Sequence, residues 1–384
     1  MKWRYKIFHP DHSGTFNEEL DDCIQQFNSY IEEGDGRYKV VLLNIFIEGV
    51  NPDNFQKKRV LITDSLVAIK GQQFIFEILP QKPAGSKLVM KAMCFDSSVY
   101  PATLNLIEGG GLRSLEINFD DAKTVLFSTS SFGGNTANDS HLCFKQTEEK
   151  LKSSGLNFNN VVRQWNYIGG IIQTIGEGGE LEQNYQSFND IRSHFYKNVV
   201  FTNGFPAATG IGMDLPGIII QTVACLFSDN SEIAAINNPQ QIPAHRYSND
   251  VLIGKSCDLD KATPKFERAK AVISENGSWI FVSGTAAIKG EQHARDNNVD
   301  TQTIETLELI KELVSHENLN KNGINQKTTL PKAVSFRAYV KYEKDVEIVK
   351  ARCRQFFGDI PAVILIADIC RDALLVEIEC EFEI

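Results

Sequence analysis

Positive charge is in deficit in this sequence: 39 Lys and Arg stand against 49 Asp and Glu, a formal net charge of −10. That balance argues against a nucleic-acid binder and against a protein that lies on an anionic membrane. It does not exclude a small anionic ligand, for which one local basic pocket is enough. Long apolar runs are missing too. None approaches the roughly 18 residues expected of a membrane-spanning helix, and the opening MKWRYKIFHPDHSG has no apolar stretch of signal-peptide length. The eight cysteines (Cys23, Cys94, Cys143, Cys225, Cys257, Cys353, Cys370 and Cys380) form no CxxC and match no zinc spacing. HExxH, GxSxG, GxxxxGK[ST] and a strand-flanked GxGxxG are all absent, so the familiar metalloprotease, serine-hydrolase, phosphate-loop and dinucleotide signatures are not available. The expectation is a soluble, cytoplasmic protein in a reduced compartment, with no disulfide framework, no metal and no cofactor, acting on no nucleic acid and no membrane.

What is present is an α/β (α+β) pattern long enough, at 384 residues, for two or three domains. Residues 1–120 read as a β-rich region: YKVVLLNIFIEG, RVLITDSLVAI, QFIFEIL and SKLVMKAMCF are short β-prone runs separated by turn signals. The remainder has a repeated order. In the last part, GSWIFVSGTAAI reads as a strand pair and residues 300–314 as a helix with Ile304, Leu307, Ile310 and Val314 on one face. Residues 334–341 form a strand, Asp345 caps a second helix with the stripe Val346, Val349, Cys353 and Phe356, and two strands close the chain. The preceding block has the same order: the strand KTVLFSTSS, a helix over 140–154, the strand NVVRQWNYI, a helix over 181–197 and two strands.

The endings FPAATGIGMDLPGIIIQTVAC and IPAVILIADICRDALLVEIEC overlay without a gap, since Pro206 to Cys225 and Pro361 to Cys380 each span 19 positions. This supports a duplication, with one unit over 121–256 and another over 257–384. The overlay sets Glu377 opposite Thr222 and Cys370 opposite Leu215, so the polar chemistry belongs to the second unit and a site is expected where units meet.

The strand WIFVSGTAAI, the segment IPA before a strand and the closing EIE at 377–379 resemble the RidA/YjgF (chorismate-mutase-like) fold. RQWNYI, the helix with Tyr185, Phe188 and Arg192, GFPAATGIG, NPQQIPAHRY, TPKFERAK, SGTAAIKG and above all ADICRDALLVEIE are more specifically similar to the chorismatases, which build on that fold. Departures occur at Glu291, Arg295, Asn297 and Asn298, where the family pattern has His, His, Gly and Asp, and at Asn184, where it has Arg before the Tyr. Val363 stands where the simple deaminases carry Arg, which counts against deaminase activity.

The resemblance implies that Glu377 is the acid that protonates the enolpyruvyl methylene of chorismate. From periodicity alone, Glu377, Glu379 and Glu381 share one face of a strand and could equally be a solvated sheet face. Cys370 is a buried strand cysteine on its own merits; in the resemblance it accompanies members that make a hydroxybenzoate. Ala287 is a position the resemblance ties to product type. Tyr185 and Arg192 share a helix face, and Arg192, Arg246 and Arg371 are the candidates for binding carboxylates, though each could be an ordinary surface or core-edge residue. Thr209 and Gly210 lie in a glycine-softened strand that permits close backbone approach. The resemblance therefore implies release of pyruvate from chorismate to give a hydroxybenzoate, of the 3-hydroxybenzoate type, for secondary metabolism. The alternatives are hydrolysis to a dihydroxycyclohexadiene carboxylate, and a non-catalytic member that binds a small acid or a protein. A small-molecule substrate and a monomer or loose homo-oligomer are expected.

Overall fold

A computed structural model of the chain describes residues 2–33, 36–69, 73–109, 112–176, 181–227, 231–252, 261–274, 277–293, 297–324 and 331–384. The first elements are β1 (Trp3–Phe8), α1 (Phe16–Glu33), β2 (Tyr38–Ile47), α2 (Pro52–Val67), β3 (Ile75–Pro80), the short β4 (Lys82–Pro83) and β5 (Leu88–Asp96). The hairpin β6 (Thr103–Gly109) and β7 (Leu112–Asn118) leads to β8 (Ala122–Ser131), α3 (Thr136–Ser153) and β9 (Val161–Gly169). A short pair, β10 (Thr174–Ile175) and β11 (Glu182–Gln183), precedes α4 (Asn184–Tyr196), β12 (Ala207–Met213) and β13 (Ile218–Phe227). Then come β14 (Glu232–Ile236), β15 (Ala269–Ile273), β16 (Trp279–Thr285), and the short pair β17 (Ile288–Lys289) and β18 (Gln292–His293). The chain ends with α5 (Val299–Leu313), α6 (His316–Lys321), β19 (Lys332–Val340), α7 (Val346–Phe357), β20 (Ala362–Ile366) and β21 (Val376–Glu383).

Three sheets share one strand order. It runs β1-β5-β2-β3 in the first, β8-β13-β9-β12 within the second and β16-β21-β19-β20 within the third. In each, the last two strands are parallel and the other neighbours antiparallel. The pattern expected twice is therefore present three times, and the first copy lies in the region read as only β-rich. The reading failed at RVLITDSLVAI, which is the greater part of helix α2. Asn51 accepts a hydrogen bond from the Asn54 N–H and Pro52 opens the helix, while Phe55, Ile62 and Leu66 are buried at spacings of seven and four. Cap and period outweigh the β propensity of Val, Ile and Thr. In the second copy, an Asn135 cap starts α3 earlier than residue 140.

Each sheet packs two long helices on one face, and the third adds the short α6. Leu20, Cys23, Phe27, Phe55 and Ile62 cover the first, Cys143, Phe144, Phe188 and Tyr196 the second, and Leu307, Ile310, Val349 and Cys353 the third. The other faces meet in a single core that holds Phe46, Tyr167 and Tyr339 together. These three aromatics are counterparts. Across the ladder Phe46 pairs with Val89, Tyr167 with Ile219 and Tyr339 with Glu377. Two residues back, Asn44 pairs with Lys91, Trp165 with Gln221 and Arg337 with Glu379.

This register corrects the gapless overlay: the counterpart of Glu377 is Ile219, not Thr222. Thr222 lies between Gln221 and Val223, so alternation turns it to the helix-covered face. The 19-position span is divided differently in the two copies. A seven-residue strand and the loop 214–217 stand against a five-residue strand and the loop 367–375, and a bulge follows Val223.

Candidate active site

Glu377, Glu379 and Glu381 are 4%, 0% and 4% exposed, so their strand face is interior rather than solvated. Each carboxyl meets a different surrounding. Glu381 Oε2 is 3.5 Å from Lys91 Nζ of the first sheet. Glu379 is clamped by the second sheet: Arg163 Nη2 donates to its Oε2 at 2.8 Å, Trp165 Nε1 to its Oε1 at 2.7 Å and Thr209 Oγ1 to its Oε2 at 2.5 Å. Arg337 Nε lies 3.2 Å from Glu379 Oε1. Burial opposes ionisation of Glu379, but Arg337, Arg163 and the Thr209 hydroxyl outweigh it and hold the carboxyl below its usual range.

Glu377 opens instead onto a cavity of about 740 Å³ between the second and third sheets. Burial, and then the negative charge of Glu379, push its carboxyl up to about 8, against weaker downward pulls from Arg163 and Arg268. It packs directly on Gly284 at the end of β16, whose N–H donates to Thr209 Oγ1 at 3.0 Å. The cavity therefore carries an acid that keeps its proton at neutral pH, supported by a hydrogen-bonded scaffold from the neighbouring sheet.

The other candidates divide. Tyr185 on α4, Gly210 on β12, and Cys370 and Arg371 in the loop after β20 all line the same cavity. A Cβ at Gly210 would lie 2.9 Å from Tyr185 Cε2, so the glycine makes room for that ring. Burial and the nearby Glu377 charge push the Cys370 thiol up to about 12, so it stays protonated. Arg371 Nη1 donates to the Glu291 carbonyl at 2.7 Å and its guanidinium lies 5.5 Å from the Tyr247 ring centre. Arg192 is buried and bonds Asn189 Oδ1; it is absent from the lining and backs the cavity through Asn189 and Tyr185, which do line it. Thr209 is buried in the Glu379 clamp rather than on the cavity wall, and Ala287 is buried one residue beyond Ala286, which does line it. Arg246 is exposed on a short 3₁₀ turn and is not part of the lining.

The cation that sequence reasoning missed is Arg268. It sits in the quoted segment TPKFERAK, lines the cavity and is 4% exposed. Its Nη2 donates to Tyr247 Oη at 2.6 Å and to the Ile242 carbonyl at 2.9 Å, while its Nε is buried with no partner. The Nδ2 of Asn189 is likewise buried without a partner. Both residues line the cavity, and two unsatisfied donors there suit a carboxylate.

The altered loop is partly explained. The Glu291 carboxylate accepts from Ser248 N at 2.7 Å and from Ser248 Oγ at 2.6 Å, tying down the segment that carries Tyr247. Asn298 caps α5, and Asn297 lines the cavity. Arg295 and Cys257 lie outside the described residues. Val363 packs in the central core opposite Arg337. Among the described residues no group of three His, Cys, Asp or Glu is placed to hold a metal, and no helix is long and apolar enough to cross a membrane.

The corresponding junction between the third and first sheets also has a cavity, of about 540 Å³, but Val89 lines it where Glu377 lines the first. The carboxylates of this second cavity, Glu347 and Asp359, stand at other positions of its lining.

Comparison with known proteins bears on the fold and on one segment of the chain. Residues 112–224 match the family model described as chorismatase FkbO/Hyg5-like, N-terminal. The 3-hydroxybenzoate synthase of Streptomyces hygroscopicus is 33% identical over 232 residues, 58% of this chain and 63% of the relative. A chorismatase of the same organism is 29% identical over 226 residues, 58% of this chain and 62% of the relative. The matches thus span somewhat less than two thirds of these curated relatives. A chorismatase crystal structure at 1.08 Å resolution superposes with a TM-score of 0.69 at 19% identity, covering 100% of this chain and 99% of the other. Residues 112–224 are thus similar to the FkbO/Hyg5-like chorismatase N-terminal region, and the chain shares the fold of that chorismatase structure along its whole length.

Proposed function

We propose that the chain converts chorismate to pyruvate and a hydroxybenzoate of the 3-hydroxybenzoate type. The observation that carries this reading is Glu377, a carboxylic acid protonated up to about pH 8 on the wall of a cavity that Arg268 and Arg371 also line. Chorismate's enol ether must gain a proton on its methylene carbon. A positioned acid that keeps its proton at neutral pH supplies it, and the resulting oxocarbenium-like ether collapses as its bond to the ring breaks and pyruvate leaves. Arg268, Arg371 and Asn189 face the same space and suit the two carboxylates of the substrate. Because the C3 oxygen leaves with pyruvate, the 3-hydroxy product requires the C4 hydroxyl oxygen to bond to C3 as that bond breaks, losing its proton, and then to leave C4 as the ring aromatises. The proton given at the methylene is balanced by the one lost, and no water is added. Hydrolysis to the dihydroxycyclohexadiene carboxylate would need a water and a base to activate it; Cys370, held protonated, is not such a base. The relative named 3-hydroxybenzoate synthase favours the same product.

Incubation of the purified protein with chorismate tests the reading, with pyruvate measured enzymatically and ring products separated by chromatography. Pyruvate and 3-hydroxybenzoate in equal amounts are expected. Pyruvate with the dihydrodiol acid moves the reading to hydrolysis, and no pyruvate at any pH between 5 and 9 rejects it.

A further inference from the structure

The chemistry above uses Glu377 and leaves its buried neighbour unassigned. Glu379 sits two residues along the same strand face, roughly 7 Å away at the rise of a β-strand. Its contacts are unusual for a residue that merely fills a core. Three of its hydrogen-bond donors, Arg163, Trp165 and Thr209, come from β9 and β12 of the neighbouring sheet. Thr209 does more than bind Glu379: its Oγ1 accepts from Arg163 Nη2 at 2.7 Å and from Gly284 N at 3.0 Å. Gly284 in turn is the residue against which Glu377 rests. A continuous chain of contacts thus joins Glu379, through Thr209 and Gly284, to the acid at the cavity.

Building on the proposed reaction, we propose that Glu379 is a positioning residue for Glu377: its fixed negative charge, clamped by groups of the neighbouring sheet, keeps the proton on Glu377. Other charged and titratable groups face the pair from every side. Arg163 from β9 and Arg268 from the segment before β15 pull against the effect on Glu377. Cys370 and Tyr185 each sense the charge of Glu377. Around Glu379 stand Arg337, Arg163 and Lys91, with Tyr167 and Tyr339 beyond. Arg163 opposes the effect without cancelling it, its pull on Glu377 being smaller than the push from Glu379. The cavity acid is consequently tuned from across the junction, and the second sheet contributes to the site without touching the substrate at Arg163 or Thr209.

The test compares Glu379→Gln, which keeps shape and removes charge, with Glu379→Asp, which keeps charge and shortens the side chain. Two readouts are used. One is the alkaline limb of pyruvate release; the other is the infrared carbonyl band of protonated Glu377 in substrate-free protein, assigned by its loss in Glu377→Gln. For unit charges roughly 7 Å apart in a protein interior, Glu379→Gln is expected to lower both midpoints by roughly one to two pH units, while Glu379→Asp stays within about half a unit of wild type. Should Glu379→Gln fail to fold, the double variant Glu379→Gln/Arg337→Gln, which leaves no added buried cation, is expected to shift in the same direction but by less, since the Arg337 charge it removes stands 3.2 Å from Glu379 and opposes it. A folded Gln variant with an unmoved midpoint overturns the proposal, as does an Asp variant that shifts as far as Gln. The infrared band titrates without substrate, so a protein that releases no pyruvate fails the functional reading while this proposal is still decided.

Discussion

A Cβ placed on Gly284 would lie 1.9 Å from Oε1 of Glu377 and 2.8 Å from its Cδ. The backbone of one strand and the carboxyl of its neighbour occupy adjoining space with no margin, so glycine is required here by contact and not by a positive φ.

Gly284→Ala is therefore expected to push the Glu377 carboxyl out of place. Strain of about 1–3 kcal/mol is typical of such overpacking, and a displaced acid forfeits most of its roughly hundredfold or greater contribution. Pyruvate release measured beside a thermal melt checks this: a large loss of rate with a melting point only modestly lowered. Wild-type rates in the alanine variant would mean that Glu377 is free to move and is not held by this contact.

Glu377→Gln is expected to lower pyruvate release by at least about a hundredfold while making the protein more stable at alkaline pH. The folded carboxyl titrates near 8, against 4.5 for its ordinary value. In the interval between those values the folded state holds a proton that the unfolded state does not. Its stabilising contribution is fully present below the unfolded value and is lost as pH rises toward 8, at about 1.4 kcal/mol per pH unit. Melting wild type and variant at pH 5 and pH 8 should show the variant gaining on wild type at pH 8. Parallel curves would show that Glu377 is not buried in its acid form.

The pH dependence of turnover follows the same group with a definite sign. The active form is protonated, so kcat/KM is expected to be level below about pH 7 and to fall with a midpoint near 8, approaching a tenfold loss per unit beyond it. A rate that climbs through this range would assign the step to a base.

Arg268 and Arg246 separate binding from surface. Arg268→Met removes a buried donor from the cavity wall and is expected to raise KM by about tenfold or more, with a smaller change in kcat. Arg246→Ala alters an exposed residue and is expected to stay within about twofold of wild type. Steady-state kinetics on the two variants decides between them; the opposite order would place the carboxylate site on the 244–246 turn.

These outcomes also mark what could be read before folding. The helices α3, α4, α5 and α7 and the strands between them follow from apolar spacing, because each buries one stripe on its own sheet. Glu377 stood out through its resemblance and not through its alternation, since a strand that lines an interior and one that faces water have the same period of two. Arg268 was unreadable for another reason. Its importance lies in a partnerless Nε beside Tyr247, a contact made across 21 positions of sequence. The first sheet was hidden because α2 carries strand-forming residues, and the equal spacing of the two endings concealed a shift of register that only the ladder pairing reveals.

The three like sheets belong to one chain, and this changes what evolution can do with their junctions. In a ring of identical subunits every seam repeats, so one acid would be installed at all of them. Here the counterparts of Glu377 are Val89 and Ile219, which leaves a single acid without two copies of the same buried charge around a shared axis. The two walls of the cavity are also tethered by the same backbone, so each sees the other at a high effective concentration set by the tether and not by the amount of protein in solution. Dilution cannot part them, and activity per molecule should hold constant as the protein is thinned to nanomolar levels.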